Sequence, residues 1–313
     1  MSAARAIGLM LGVAADGVIG DPRTRRPVVL FTRAARELDG QVRTRHPAAG
    51  VAWAGGLAGA AVLLGVLTER IGRRGPVLEA TGTALTTWVV LGAAGLATQG
   101  AELARDLEES RLDSARDTLA GLDPRVADGL DAIPLSRAAV ETLAENTSDL
   151  VVAPLIWGAL AGAPGLLGSR AISLLRKLGR GSPARHRWFI DRLDELVHLV
   201  PTRIAAALTV VAAPVVGGSA GGAWRAWRRD TIAHPSPNAG RVEAAFAGAL
   251  EIRVGGRTVY PHGVEELPVL GIGRNPDAGH VTRAVELSRV VGWLAAVTSV
   301  LLAAVAGLRR RTR

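Results

Sequence analysis

The 313-residue sequence contains no cysteine, which excludes disulfides and thiolate metal sites. Lysine is nearly absent too, Lys177 being the one lysine among 37 Lys and Arg residues. Net charge is +9 and aromatic residues make up only 4% of the chain. The arginines are scattered through polar segments beside acids, without the aromatic interleaving that stacks bases, so no nucleic-acid partner is expected. Arginine pairs well with planar anions, and a phosphorylated substrate stays open. A complete Walker A run, HExxH and GxSxG are all missing, so none of these nucleotide, zincin or hydrolase signatures assigns a chemistry.

What the chain does have is hydrophobic residues, 49% of the total, collected in long uncharged runs. Apolar segments lie at about 3–20, 48–68, 80–101, 150–169, 204–224 and 290–308, with aqueous segments at about 102–149, 170–202 and 225–289. The fold class expected is all-α: a polytopic membrane helical bundle, with amphipathic helices on the cytoplasmic side and one small hairpin turning at Gly255-Gly256. The first apolar run looks superficially like a signal peptide, but further apolar runs follow it and it reads as an uncleaved membrane helix. Arginine-rich stretches near 23–45 and at the C-terminal tail favour the cytoplasm, giving a multi-pass protein of the cell inner membrane. The 150–169 run holds Pro154, Gly158, Gly162, Pro164, Gly165 and Gly168. It either spans or re-enters, and the basic residues on its far side, from Arg170 to Arg187, favour re-entry.

Ionisable residues gather at the edges of these runs. Glu141, Glu145 and Asp149 recur every four positions with Asn146 beside them. Such like charges on one helix face repel, so a divalent cation or a basic segment should compensate them unless they form a solvated helix end. A second acidic face carries Asp191, Asp194 and Glu195, with His198 near it reading as a satisfied interfacial histidine. The HPSPNAG loop, His234 to Gly240, leads into a helix expected to start near Gly240. Its free N–H groups and Arg241 are a candidate phosphate site, the plain alternative being a simple turn. Asp21, in the turn after the first apolar run, is placed to cap or to bind.

Four segments together resemble the adenosylcobinamide-phosphate synthase family of cobalamin biosynthesis. They are DGVIGDP at Asp16–Pro22, VETLAENTSDLVVAPLIWGALAGAPG at Val140–Gly165, RLDELVHLVPTRIAA at Arg192–Ala206 and HPSPNAGRVEAAFAGAL at His234–Leu250. The family's pattern singles out Asp21, Glu141, Glu145, Asn146, Asp149, Asp194, Glu195, Pro201, Arg203, Asn238 and Gly240. The resemblance implies an integral membrane enzyme that joins (R)-1-amino-2-propanol or its O-phosphate to a propionate of adenosylcobyric acid, using ATP and Mg²⁺. It also implies Glu145, Asp149 and Asp194 as magnesium ligands. Glu141, Glu145, Asn146 and Glu195 would form the catalytic group, with Glu141 or Glu195 taking the amine proton. Asp21, Arg203, Asn238, Gly240 and Arg241 would contact substrate. The implied partners are the corrinoid, the aminopropanol (phosphate) and the lipid bilayer; a homo-oligomer or contact with other membrane enzymes of the pathway stays open. The chain departs from the pattern at Arg26, Leu150, Ser173 and Arg176, the last standing where the family has an aspartate. An Arg176 inside the site should pair with a carboxylate or touch phosphate. A transporter and a partner-binding scaffold are the competing readings, the first through acids lining a pore and the second through the 102–140 helix.

Overall fold

The computed structural model describes residues 2–20, 27–42, 47–179, 184–261 and 263–311. Twelve helices are described: α1 Ser2–Ile19, α2 Pro27–Val42, α3 Pro47–Gly72, α4 Pro76–Val90, α5 Ala93–Glu108, α6 Leu112–Leu122, α7 Ala132–Thr147, α8 Ala153–Gly179, α9 Ala184–Ala212, α10 Ala220–Asp230, α11 Ala239–Leu250 and α12 Ala278–Arg311. A hairpin of β1 Val254–Tyr260 and β2 Gly263–Leu270 precedes α12. The all-α membrane class with one small hairpin is therefore found. Five helical stretches are long and apolar enough to cross a membrane: Ala48–Gly72, Pro76–Glu108, Ala132–Gly179, Trp188–Val216 and Ala278–Ala306. The chain forms two compact units, residues 1–92, 149–198 and 295–313 in the first and 93–148 and 199–294 in the second.

In the first unit α1 lies along α4, and α3 lies along α8. Leu9, Val90, Ala159, Leu166 and Ala303 form one buried cluster, while Trp53, Ala54, Ala58, Ile172, Leu175 and Ile190 form another. Leu63, Leu64, Leu67, Val77 and Leu85 face outward. Lipid is as apolar as leucine, so these helices are held by close packing of small residues rather than by escape from water.

The course of α8 decides how the 150–169 run is used. Gly162 breaks the helix with φ 66° and ψ −146°, a region essentially reserved for glycine. A Cβ on Gly165 would come within 2.3 Å of the Trp157 carbonyl oxygen. On an unbroken helix those residues would be about 12 Å apart along the axis, so the chain reverses here. The limb before the break starts beside Gly92, whose N–H donates to the Leu150 carbonyl at 3.2 Å. It ends where the Gly162 Cα meets Glu69, which accepts from Arg5 at 2.8 Å. The limb after it retraces α3, Pro164 against Gly65, Gly168 against Val62 and Leu175 in the cluster with Trp53. Both ends of the hairpin thus lie at one end of this unit, and its tip lies at the α3–α4 turn.

In the second unit α5 and α6 are separated by Ser110 in the left-handed region (φ 58°). Their Leu103, Leu107, Ala115 and Leu119 are buried. α5 packs on α7, and α7 packs on α11 and β1. α10 crosses α11 at Gly222 and Gly248, where a Cβ on Gly248 would lie 2.3 Å from the Gly222 carbonyl oxygen. The hairpin turn does not fall at Gly255-Gly256 as expected, because Tyr260 pairs with Gly263 and the strands reverse there. The two glycines instead form an irregularity inside β1, both with positive φ.

Candidate active site

The second unit contains a buried polar cluster built around Arg125. The Asp123-Pro124 turn delivers the guanidinium to α7, where it donates to Glu141 Oε2 at 2.6 Å and to Asp123 Oδ2 at 3.2 Å. Asp123 Oδ2 also accepts from Thr142 at 3.0 Å. The other Glu141 oxygen accepts from the Gly255 N–H at 2.7 Å. That bond explains the glycine pair: the bulged strand turns a backbone donor inward, at φ 92° and in a space where a Cβ would lie 2.1 Å from the Pro268 carbonyl oxygen. Burial opposes the charge on Arg125, but the adjacent Asp123 and Glu141 outweigh it and hold the guanidinium charged. Burial likewise pushes the Asp123 carboxyl up, and Arg125 overcomes this to hold it below the usual carboxylate range.

The HPSPNAG loop and α11 form another side of this cluster. α11 begins at Ala239, close to the expected position. Ser236 Oγ accepts from the Ala239 N–H at 3.1 Å. Asn238 is buried, its Oδ1 3.4 Å from the Thr202 hydroxyl. The His234 ring stacks over Gly240, where a Cβ would lie 2.4 Å from the ring's Cγ. Its Nδ1 lies 3.1 Å from both the N–H and the carbonyl oxygen of Ser236. Its Nε2 is buried without a hydrogen-bond partner and faces Glu243 Oε2 at 3.6 Å. Burial pushes the Glu243 carboxyl well above its ordinary range, and the negative charges of Glu141 and Glu145 add to this. Burial also lowers the His234 imidazole below its ordinary value.

The first unit holds a separate cluster at the open end of the α8 hairpin. Arg176 Nε lies 3.0 Å from Asp194 Oδ2, and its NH2 lies 3.5 Å from Asp149 Oδ2. His198, also buried, places Nδ1 3.0 Å from Asp194 Oδ1 and Nε2 3.8 Å from Asp149 Oδ1. Ser173 Oγ is 3.1 Å from the same Nε2. The two departures Ser173 and Arg176 thus sit among the expected acids, and Arg176 pairs with carboxylates.

A sequence profile of the CobD/Cbib protein family matches residues 9–288. The chain belongs to this family. It is 46% identical over 302 residues to the cobalamin biosynthesis protein CobD of Mycobacterium tuberculosis, covering 95% of this chain and 96% of that one. The protein of the same name from Sinorhizobium fredii is 34% identical over 323 residues (94% and 96% covered), and that from Chromobacterium violaceum is 32% identical over 310 residues (96% and 98%). No solved structure matches. Family and helices together make this a multi-pass inner-membrane protein.

The family's polar positions fall into both units. Glu141, Asn146, Asn238 and Gly240 are buried in the second, Asn146 Nδ2 being 3.4 Å from the Leu122 carbonyl. Half-buried Glu145 belongs to this unit as well. Arg203 donates to the Leu199 carbonyl and Arg241 to that of Pro237. Among the described residues neither arginine pairs with a carboxylate. Asp149, Asp194 and Glu195 belong to the first unit, with Glu195 2.5 Å from Arg192. Pro201 lies within α9, and Asp21 lies outside the described residues, as does Arg26.

A divalent cation wants several converging oxygens, and among the described residues no group of three or more His, Asp or Glu side chains is arranged to hold one. Asp149 and Asp194 converge on a guanidinium and an imidazole, which oppose a second cation. These residues do not fit a resident magnesium ion. The sequence did not single out Asp123, Arg125 or Glu243. Asp123 and Arg125 reach α7 across 16 to 19 positions of sequence and Glu243 faces His234 from the other side of the loop, contacts for which local periodicity has no signal.

Proposed function

We propose that this chain is an amide-forming enzyme of cobalamin biosynthesis. It joins (R)-1-amino-2-propanol or its O-phosphate to a propionate of adenosylcobyric acid, giving adenosylcobinamide or its phosphate. The observation that carries the reading is the family match along residues 9–288, supported by the burial of Glu141, Asn146, Asn238 and Gly240 in one compact unit.

A carboxylate is a poor acyl donor because oxide is a poor leaving group, and ATP, as co-substrate, supplies the activation. Arg203 and Arg241 bind phosphate oxygens, since each keeps donors free beyond its one carbonyl bond and the two are close enough to feel each other's charge. Glu141 has both oxygens engaged, by Arg125 and by Gly255. It therefore fixes the shape of the cluster, while Glu145 on the next turn is the α7 carboxylate that faces substrate.

The test supplies purified protein with adenosylcobyric acid, aminopropanol phosphate, ATP and magnesium, and looks for adenosylcobinamide phosphate by mass. Product should appear only with ATP. Glu145→Gln should abolish it without loss of fold, and Asn238→Ala should raise KM. Absence of both product and corrinoid binding in the wild type would favour a divergent non-catalytic or transport-type relative instead.

A further inference from the structure

Amide formation from an ammonium substrate must dispose of protons, and Glu141, buried with both oxygens already bonded, is not free to take them. We propose that Glu243 and His234 form a proton relay leading from this buried cluster to the HPSPNAG loop; the relay rests on the amide-forming reading above. Three observations carry it. The first is position: Glu243 lies in the buried face of α11, whereas His234 lies in the loop beside exposed Pro235 and Pro237. The second is the gap, since the unpartnered His234 Nε2 faces Glu243 Oε2 at 3.6 Å.

The third is the surroundings of the imidazole. Nδ1 has a donor and an acceptor of Ser236 at the same 3.1 Å, so either ring tautomer is satisfied on that side. Nε2 can therefore carry a proton or present a lone pair without breaking the loop. Gly240 leaves the space that fixes the ring in this pose. A histidine that only braced a turn would need one tautomer and no buried acid opposite it.

The groups facing the pair are Glu141 and Glu145 from α7, Asp123 and Arg125 from the preceding turn, and Glu265 from β2. α10 meets α11 through glycine backbone at Gly222 and Gly248. In this net-acidic setting Glu243 rests as a neutral acid, its O–H toward the Nε2 lone pair. That proton passes to Nε2, leaving a carboxylate and an imidazolium. One such cycle takes the ammonium's proton and frees the amine lone pair. In a second, the amine nitrogen attacks the activated acyl carbon, the C–N bond forms as the C–O bond to the ATP-derived leaving group breaks, and the Glu243 carboxylate takes the departing N–H proton. In each cycle the imidazolium releases one proton to water at the loop, so two protons leave the substrate, two reach solvent, and no electrons are transferred.

Because Glu243 is already uncharged, Glu243→Gln preserves its shape and charge and removes only the mobile proton. A packing role predicts activity close to wild type. The relay predicts that kcat falls about 100-fold or more, the usual contribution of a positioned acid or base, with KM little changed and the melting temperature not lowered. His234→Gln should lower kcat similarly and remove the acid limb of the rate–pH profile. Independently of activity, the infrared spectrum of the wild type at pH 7 should show a protonated-carboxyl C=O band that is absent in Glu243→Gln and shifted in His234→Gln. A Glu243→Gln enzyme within about threefold of wild-type kcat, or no such band, overturns the relay. Wild-type protein that shows the band but makes no amide overturns the reaction assignment and the relay's substrate end with it, leaving the buried acid–imidazole pair as a separate fact.

Discussion

Replacing Arg125 by methionine removes the guanidinium that faces both Asp123 and Glu141, and leaves two carboxylates in a space from which water is excluded. The side chains of Arg125, Asp123 and Glu141 are only 6%, 3% and 2% exposed, so solvent screens little of the lost attraction. Removing one member of a buried ion pair costs about 3–5 kcal/mol, because the remaining charge stays desolvated. At about 2–4 °C per kcal/mol for a chain of this size, the melting temperature in detergent should fall by about 6–20 °C. The triple variant Arg125→Met, Asp123→Asn, Glu141→Gln should be less destabilised than the single one, since it buries no uncompensated charge. Acid adds a further check. In the wild type the depressed Asp123 pKa contributes stability that is present above its ordinary value of 3.8 and is lost as pH falls through the lower folded value. Without the guanidinium, burial and the nearby Glu145 charge push that carboxyl up against the one backbone hydrogen bond that remains, so the variant should gain on the wild type as pH falls from neutral. A melting shift under about 4 °C, about 1 kcal/mol, or a triple variant worse than the single one, would refute the view of Arg125 as the compensating charge.

Gly162→Ala should cost about 1–3 kcal/mol from the backbone alone and also displace Glu69 from Arg5, whose carboxylate occupies the place of the new Cβ; an unchanged melting temperature would refute the reversal in α8. Because both hairpin limbs open at the end of the unit opposite the α3–α4 turn, single cysteines at Arg74 and Arg192 should be labelled from opposite sides of the membrane, and same-side labelling would refute this course. Glu243 has a raised folded pKa, so its penalty grows as pH rises above the ordinary 4.5. Glu243→Gln should therefore melt higher than the wild type at pH 8, with little difference near pH 4, and the opposite order would show that the carboxylate is stabilised in the fold.

The membrane class was legible because uncharged runs near 20 residues have few other uses, and the start of α11 was legible from its Pro-rich loop. The acidic face of Glu141, Glu145 and Asp149 was only partly so. Between Glu145 and the α8 helix a π turn occupies Ser148–Val152. Such a turn inserts an extra residue, so a spacing of four no longer keeps one face across it. Glu141 and Glu145 accordingly serve one unit and Asp149 the other. Gly255-Gly256 matched a hairpin turn by composition, yet its freedom is used to present an N–H to Glu141, a partner 114 positions away. Arg176, conspicuous in sequence as a substitution, is explained by Asp194 on α9 and by Asp149, which the reversal at Gly162 returns to its level.

The α8 hairpin also bears on how the protein enters the bilayer. Arg170, Arg176 and Lys177 lie on its returning limb, and Arg180, Arg185 and Arg187 follow. On insertion scales, an arginine or lysine at the centre of a crossing helix costs about 2.5–3.5 kcal/mol, so driving six of them through would cost about 15–20 kcal/mol. A loop that enters tip first, led by the uncharged residues from Leu150 to Ser169, brings Arg170, Arg176 and Lys177 in behind its neutral tip rather than ahead of it. The inserting machinery therefore has to handle one neutral wedge, and the order in which helices join the lipid need not follow their order in the chain.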